Sequence, residues 1–328
     1  MKWRGKQVLV TGAGGFIGSH LTERLVKEGA KTRAFVHYRS NGSWGWLDHS
    51  RLKEEIEVIA GDIRDPDSVL SAVHGTELVF HLAALIAIPY SYQAPLSYVR
   101  TNVEGTLNVL QAVGKEGTQR LIHTSTSETY GTTSTVPIHE DYPQQAQSPY
   151  AASKVGADQL AESFYHSFDL PVVILRPFNT YGPRQSQRAV IPTIITQCLQ
   201  GSMVRLGNIN PTRDFNYVDD TVEGFLCAAE ASDAAVGRTI NIGFGREISI
   251  EELVKTIGGL MNKNITIETQ EERMRPDGSE VERLRADHTL ARELLKWSPT
   301  VLLEDGLQKT IEWMGSHLSQ YRGDQYVI

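Results

Sequence analysis

Val8-Leu9-Val10-Thr11-Gly12-Ala13-Gly14-Gly15-Phe16-Ile17-Gly18 is the stretch that decides the fold. An apolar run leads directly into a turn with glycines at 12, 15 and 18, and an amphipathic helical pattern over 16–28 follows, closed by Gly29. That order puts glycine where a strand turns tightly, where backbone approaches a pyrophosphate, and where a helix packs close against its strand. The free amides of the helix N-terminus then face the phosphates of a dinucleotide. A glycine-rich match alone equally describes an ordinary strand-to-helix turn. Here the flanking strand and helix select the dinucleotide reading, with contacts expected at Gly12, Gly14, Gly15, Phe16, Ile17 and Gly18.

Outward from this turn, short apolar runs alternate with longer helical patterns, the signature of a parallel sheet wound by crossover helices. Strands are predicted over 7–11, 32–36, 56–60, 78–81, 120–124 and 172–175. Ser148-Pro149 reads as an N-cap with proline in the first helical position, opening a helix through Phe168. After Pro177 the pattern changes to loops rich in Asn, Pro, Arg and Gly, with helices predicted over 189–199, 219–231, 250–261 and 305–316. The expected fold class is α/β: a doubly wound parallel sheet of Rossmann type over 1–178, and a smaller α/β substrate lobe over 179–328. Segments near 215–245 are expected to return to the first domain.

The 328 residues are 40% hydrophobic and carry a net charge of −7, enough for a real core and without a global basic field. Nucleic acid is therefore not an expected partner, and bound phosphates must be held by local groups. The two cysteines, Cys198 and Cys227, lack metal-ligand spacing and are too few for a disulfide framework. That fits a reducing cytoplasm and no metal site. Neither an h-region after the charged start nor an apolar run of about 18 residues is present, so no signal peptide or membrane span is expected.

Tyr150-Ala151-Ala152-Ser153-Lys154 puts a phenol and an ammonium four apart on one helix face, where the cation can stabilise a phenolate. Such a pair arises easily by chance on a helix surface. Its place after the fifth strand, at the start of a long helix, gives it weight. With Thr11-Gly12-x-x-Gly15-x-x-Gly18, it resembles the extended branch of the short-chain dehydrogenase/reductase family. That resemblance implies adenine contacts at Asp62 and Ile63, a cofactor wall at Leu82, Ala83 and Ala84, and cofactor roles for Tyr150 and Lys154 as well. At the end of the second strand, NAD binders generally carry an acid for the ribose 2′-hydroxyl. Here Val36-His37-Tyr38-Arg39-Ser40 stands instead, and His37, Arg39 and Ser40 suit a 2′-phosphate, so the reading leans slightly to NADP over NAD.

His123-Thr124-Ser125-Thr126-Ser127-Glu128-Thr129-Tyr130-Gly131 resembles the sugar-nucleotide 4,6-dehydratase and epimerase branch. The resemblance implies that Thr126 bonds the hydroxyl being oxidised beside Tyr150 and Lys154. It also implies that Glu128 removes the carbon-5 proton, a base that simple 4-epimerisation does not need. Ser127 stands where dTDP-glucose 4,6-dehydratases have Asp, leaving the acid for the departing hydroxyl open. Arg176-Pro177-Phe178-Asn179-Thr180-Tyr181-Gly182-Pro183 matches the family's junction between lobes. By the same resemblance Asn179, Val190, Leu206, Arg213 and Arg275 meet the nucleotide end of a substrate, expected to be UDP-linked. The apolar Ile86-Ala87 suits an N-acetyl methyl group, with Ala87 as the contact.

The Asn41–Asp48 segment resembles the bacterial dehydratases of legionaminic and pseudaminic acid synthesis, although no physical role for Trp44 and Trp46 follows from sequence. The expected activity is thus a 4,6-dehydratase, on UDP-N-acetylglucosamine, in a homodimer paired through helices near 95–113 and 150–168. Open alternatives are a 4-epimerase, an enzyme forming or processing a 5,6-unsaturated sugar, and, more remotely, a non-catalytic cofactor sensor.

Overall fold

The computed structural model describes residues 2–276 and 278–321. Twelve strands are found among them: β1 (Gln7–Thr11), β2 (Lys31–His37), β3 (Ile56–Gly61), β4 (Leu78–His81), β5 (Arg120–Thr124), β6 (Val172–Pro177), β7 (Asn179–Tyr181), β8 (Met203–Leu206), β9 (Thr212–Tyr217), β10 (Thr239–Ile242), β11 (Glu247–Ser249) and β12 (Thr266–Thr269). Seven form one parallel sheet in the order β10-β6-β5-β4-β1-β2-β3, a doubly wound Rossmann arrangement as expected. Alternate strand residues serve opposite faces. Val8, Val10, Phe80 and Ile122 join one buried cluster, while Leu9, Val79 and Leu121 join the cluster on the other side. Both faces are covered by helices, so the strands read as continuous apolar runs rather than alternating ones.

The helices are α1 (Phe16–Lys27), α2 (Pro66–Val73), α3 (Ile88–Gln93), α4 (Pro95–Tyr98), α5 (Gly105–Glu116), α6 (Pro149–Phe168), α7 (Val190–Gln200), α8 (Val218–Glu230), α9 (Ile250–Leu260) and α10 (Leu303–Ser316). A wider π turn, Val99–Glu104, joins α4 to α5. Ser148 caps α6 by accepting from the Ala151 amide at 3.1 Å, and Pro149 occupies its first turn. None of these helices is long and apolar enough to cross a membrane.

The predicted strands and helices are all present, with ends shifted by a residue or two. Helix 305–316 begins earlier, at Leu303, because extended Leu302 serves as its cap. Sequence periodicity did not reveal α2, α3 or β7–β12. The strands among these are three to six residues long and carry polar residues within them, so no continuous apolar run marks them. β10 is the consequential one, since it pairs in parallel with β6 and extends the main sheet. The remaining strands form a three-stranded sheet, β11-β9-β7, and a β12-β8 pair.

Candidate active site

The turn after β1 is built so that glycine is required. Gly12 has φ +70°, and a Cβ there would lie 2.8 Å from the Ala83 amide nitrogen. A Cβ on Gly18 would lie 2.2 Å from the Gly12 carbonyl oxygen, so α1 rests directly on the turn. Gly15 is the N-cap of α1 and has no side chain to accept from the first-turn amides. Thr11 Oγ1 accepts from the Leu82 and Ala83 amides, each at 3.1 Å, and locks the ends of β1 and β4 together. These features fit a dinucleotide phosphate.

Gly14 has a different reason to be glycine. A Cβ there would stand 2.3 Å from the Trp44 carbonyl oxygen, and the Trp46 amide donates to the Gly14 carbonyl at 3.0 Å. The loop after β2 is thus laid across the glycine-rich turn. Trp46 anchors it edge-on against Trp313 of α10 at 5.5 Å, and Trp313 stacks on His317 at 4.2 Å. The role of Trp46, which sequence left without account, is packing between segments remote in the chain. Val36 is buried at the end of β2, whereas His37, Arg39 and Ser40 are exposed. Arg64 grips Asp62 with Nε at 2.9 Å from Oδ1, and this guanidinium holds the Asp62 carboxyl down to about 2. Ile63 is buried, and its carbonyl accepts from Asn108 Nδ2 at 3.1 Å.

The ends of β5 and α6 converge next. Thr126 caps the short turn Ser127–Tyr130, accepting from the Glu128 amide at 3.3 Å. Gly131 closes that turn at φ +62°. Tyr150, Lys154 and Asp158 line one face of α6 at helical spacing. The Tyr150 ring packs edge-on against Tyr98 at 6.2 Å, and the Tyr98 hydroxyl donates to the Ala87 carbonyl, so Ala87 is tied to this corner. Burial raises the Tyr150 phenol above its ordinary range, while the Thr126 side chain, as hydrogen-bond partner, pulls it down. Lys154 Nζ donates to the Thr124 carbonyl at 2.5 Å. Sequence spacing puts this ammonium on the same helix face as the phenol, and the helix bears that out for the two positions. A buried ammonium needs an acceptor, however, and the strand end supplies it. Burial lowers Lys154 to about 8, against the raising effect of Asp158.

Asp158 is a site residue that sequence reasoning missed, although its place four beyond Lys154 on the same face was available as a signal. It is fully buried and accepts from Ser125 Oγ at 2.5 Å, His123 Nε2 at 3.2 Å and Arg176 Nη2 at 2.9 Å. Burial opposes its charge, yet His123, Arg176 and Lys154 together hold the carboxyl well below the usual range. Arg176 also lies over the Tyr130 ring at 4.7 Å. One buried cluster therefore joins α6, β5, β6 and the turn bearing Glu128.

Glu128 is 9% exposed and faces the predicted arginines. Arg275 Nη1 lies 3.8 Å from Glu128 Oε2 and 3.4 Å from Glu280 Oε1. Arg213, on β9, meets the same Glu280 oxygen at 2.9 Å. Glu280 was not anticipated, and no local pattern marks it. Ser127 is buried beside Glu128. Asn179 opens β7, and its Oδ1 is buried with no hydrogen-bond partner among the described residues. Leu206 belongs to the core and Val190 packs against that core, so both are apolar wall. The structure thus brings Thr126, Glu128, Tyr150, Lys154, Arg213 and Arg275 into one cluster of contacts and charges, with Gly12 to Gly18 at the β1 end of the same sheet edge. This arrangement can move a hydroxyl proton and hold an anion, and it has a second carboxylate to spare.

The family described as GDP-mannose 4,6 dehydratase matches residues 9–310. The chain belongs to this family of extended short-chain dehydrogenases/reductases, whose members are NAD-dependent sugar-nucleotide dehydratases, epimerases and decarboxylases. It is 34% identical over 313 residues to UDP-glucose 4-epimerase of Mycolicibacterium smegmatis, covering 94% of this chain and 98% of that protein. It is 35% identical over 320 residues to UDP-N-acetyl-alpha-D-glucosaminuronate decarboxylase of Bacillus cytotoxicus, covering 94% and 97%. The structure of the dTDP-glucose 4,6-dehydratase DesIV from Streptomyces venezuelae, solved with NAD bound, superimposes with a TM-score of 0.87 at 27% identity, covering 96% of this chain and 98% of that one.

Proposed function

We propose that this family member is a sugar-nucleotide 4,6-dehydratase acting on UDP-N-acetylglucosamine and giving a 4-keto-6-deoxy product. The observation that carries the reading is Glu128: a buried carboxylate two residues beyond Thr126, close enough to Tyr150 to influence its phenol. An epimerase needs only the oxidation set, whereas elimination of water needs one more base.

In this reading Thr126 holds the carbon-4 hydroxyl and Tyr150 accepts its proton, with Lys154 supplying positive charge beneath the pair. A nicotinamide cofactor, which Gly12 to Gly18, Tyr150 and Lys154 would hold, would supply reversible hydride acceptance between carbon 4 and carbon 6, so no external reductant would be consumed. Oxidation acidifies the hydrogen on carbon 5, and Glu128 takes that proton. The carbon-6 hydroxyl leaves beside Ser127 as water, taking the proton that Glu128 removed, and the proton that Tyr150 took from the carbon-4 hydroxyl is given up, through solvent, as carbon 5 is reprotonated. Arg213, Arg275 and Asn179 hold the diphosphate, for which a planar guanidinium fork is well shaped. Val190 and Leu206 wall the nucleotide, and Ala87 meets the N-acetyl group.

Gly12, Gly15 and Gly18 seat the cofactor pyrophosphate, with Gly14, Phe16 and Ile17 completing the turn. Asp62 and Ile63 meet the adenine, and Leu82, Ala83 and Ala84 line the nicotinamide side. The exposed His37, Arg39 and Ser40, with no acid ending β2, favour NADP. The free cysteines Cys198 and Cys227 suit a cytoplasmic enzyme. The likeness of the 41–48 loop to dehydratases of nonulosonic acid synthesis carries the further proposal that the product feeds that class of sugar acid.

Incubation with a panel of UDP-, GDP- and dTDP-sugars, followed by NMR, tests this reading. A carbon-6 methyl signal with a carbon-4 ketone is expected from UDP-N-acetylglucosamine. A carbon-4 epimer that keeps its carbon-6 hydroxyl overturns it, and a vinylic carbon-6 signal marks 5,6-unsaturated chemistry instead.

A further inference from the structure

We propose that the loop 43–49 is a strap that forms part of the cofactor site and holds the adenosine half of the dinucleotide in place, with Trp46 against Trp313 as its fastening. The proposal rests on the cofactor reading of the glycine-rich turn, and no part of it needs the elimination chemistry. In a dinucleotide fold the pyrophosphate and the adenosine ribose lie between the turn after the first strand and the end of the second. The strap leaves the end of β2 and meets that turn at Gly14. A Cβ on Gly14 would stand 2.3 Å from the Trp44 carbonyl oxygen, and a Cβ on Gly45 would stand 2.3 Å from the Gly14 carbonyl oxygen. Glycine is thus required on both sides of the crossing, and Gly45 also has φ +70°. The Trp46 amide donates to the Gly14 carbonyl at 3.0 Å. A Gly14 Cβ would also lie 3.5 Å from Val36 Cγ1, so strap, turn and the end of β2 meet at one point.

The loop is built to keep one shape over that crossing. Asp48 Oδ1 accepts from the Trp44 amide at 2.9 Å and Asp48 Oδ2 from Ser43 Oγ at 2.7 Å, while Ser43 Oγ accepts from the Gly45 amide at 3.1 Å. Leu47 is fully buried in the main core and pins the loop to its own domain. Trp46 adds a second anchor, on a different element: its ring meets Trp313 of α10 edge-on at 5.5 Å. Trp313 is backed in turn by His317, stacked at 4.2 Å, and by Tyr321, edge-on at 6.2 Å. α10 is seated on the later lobe, because the Tyr181 hydroxyl of β7 donates to the Leu303 carbonyl at 3.0 Å and a Cβ on Gly306 would lie 2.2 Å from that hydroxyl. The strap over the cofactor turn is therefore fastened outside the domain that carries the turn. Release of the adenosine half requires the strap to lift, and lifting it parts Trp46 from Trp313. In the redox-neutral cycle proposed above the cofactor need not leave between turnovers, and slow release suits that cycle.

The experiment compares the full-length protein with Trp46→Ala, Trp46→Phe, Trp313→Ala, the Trp46→Ala/Trp313→Ala double variant and Asp48→Ala. Each is loaded with NADPH or NADH, and release is followed by nicotinamide fluorescence after mixing with excess oxidised cofactor. Calorimetry gives the affinities for cofactor and for ADP-ribose, and thermal unfolding without ligand checks the fold. Loss of the aromatic contact is expected to speed release about tenfold in Trp46→Ala and Trp313→Ala, with the binding rate changed by less than about threefold. ADP-ribose, which lacks the nicotinamide, loses affinity by the same factor because the strap acts on the adenosine half. Trp46→Phe keeps an aromatic edge and falls between. The double variant is no faster than either single one, since all three remove the same contact. If Trp46→Ala is too unstable to assay, Asp48→Ala stands in: Asp48 is exposed, and its loss undoes the strap's turn and speeds release in the same direction. Release within about twofold of wild type in a folded Trp46→Ala overturns the proposal. Equal speeding of binding and release with unchanged affinity, or weakened dinucleotide with ADP-ribose untouched, overturns it as well. A wild-type protein that binds none of these ligands removes the cofactor reading beneath it.

Discussion

Replacing Glu128 by Gln keeps the side chain's shape and removes only its capacity to take a proton. The structural cost is small, for two reasons. The Arg275 contact at 3.8 Å is longer than a hydrogen bond, and Glu280 at 3.4 Å still compensates the guanidinium, so no buried charge is stranded. A loss near 1 kcal/mol of stability or less is expected, as for a weak ion pair. The Glu128 amide bond to Thr126 involves the backbone and is untouched. The catalytic cost is much larger, because a positioned general base contributes about 10²–10⁴-fold. At about 1.36 kcal/mol per decade, this is roughly 2.7–5.4 kcal/mol of barrier. Thr126, Tyr150 and Lys154 remain intact, so oxidation at carbon 4 proceeds and reduced cofactor builds up. Rapid mixing with absorbance near ~340 nm, set against product formation by NMR, separates the two half-reactions, and the thermal midpoint checks the fold. Turnover near the wild-type rate with no accumulation of reduced cofactor would refute the reasoning and favour epimerisation or simple redox chemistry.

Four other outcomes are expected. Asp158→Asn strands the Arg176 guanidinium in a fully buried site and should cost about 3–5 kcal/mol in urea unfolding; a loss under about 1 kcal/mol contradicts the buried cluster. Gly18→Ala sets a Cβ 2.2 Å from the Gly12 carbonyl, so α1 must lift from the turn; cofactor affinity should fall at least tenfold, and unchanged binding by calorimetry refutes the close approach. Arg39→Ala should weaken NADP by about tenfold, the loss of one charge-assisted contact, and leave NAD nearly unchanged; a wild-type protein that prefers NAD removes the basis for the NADP reading. Leu96, Val99 and Phe168 are 59%, 50% and 68% exposed on the helices expected to pair, so sedimentation at micromolar concentration should give a homodimer, against which a monomer would count.

How much was legible beforehand depended on range along the chain. Local chemistry determined β1, its glycine turn and α1, since apolar run, turn and helical period are contiguous there. It likewise determined α6 from its Ser148 cap to Phe168, and with it the shared face of Tyr150 and Lys154. Family resemblance along the same short motifs supplied Thr126 and Glu128. Only tertiary structure decided what surrounds them. β10 reaches the main sheet by pairing with β6, Trp46 meets Trp313, and Gly14 is pressed by the Trp44 carbonyl rather than left open. Lys154 turns to the Thr124 carbonyl because burial demands an acceptor, which a spacing of four cannot foretell. Arg213 and Arg275 link Glu280 and Glu128 through Coulomb attraction between segments that share no local period. A single carboxylate in a loop carries no sequence signal of such a role; packing of the later lobe against the sheet edge creates it.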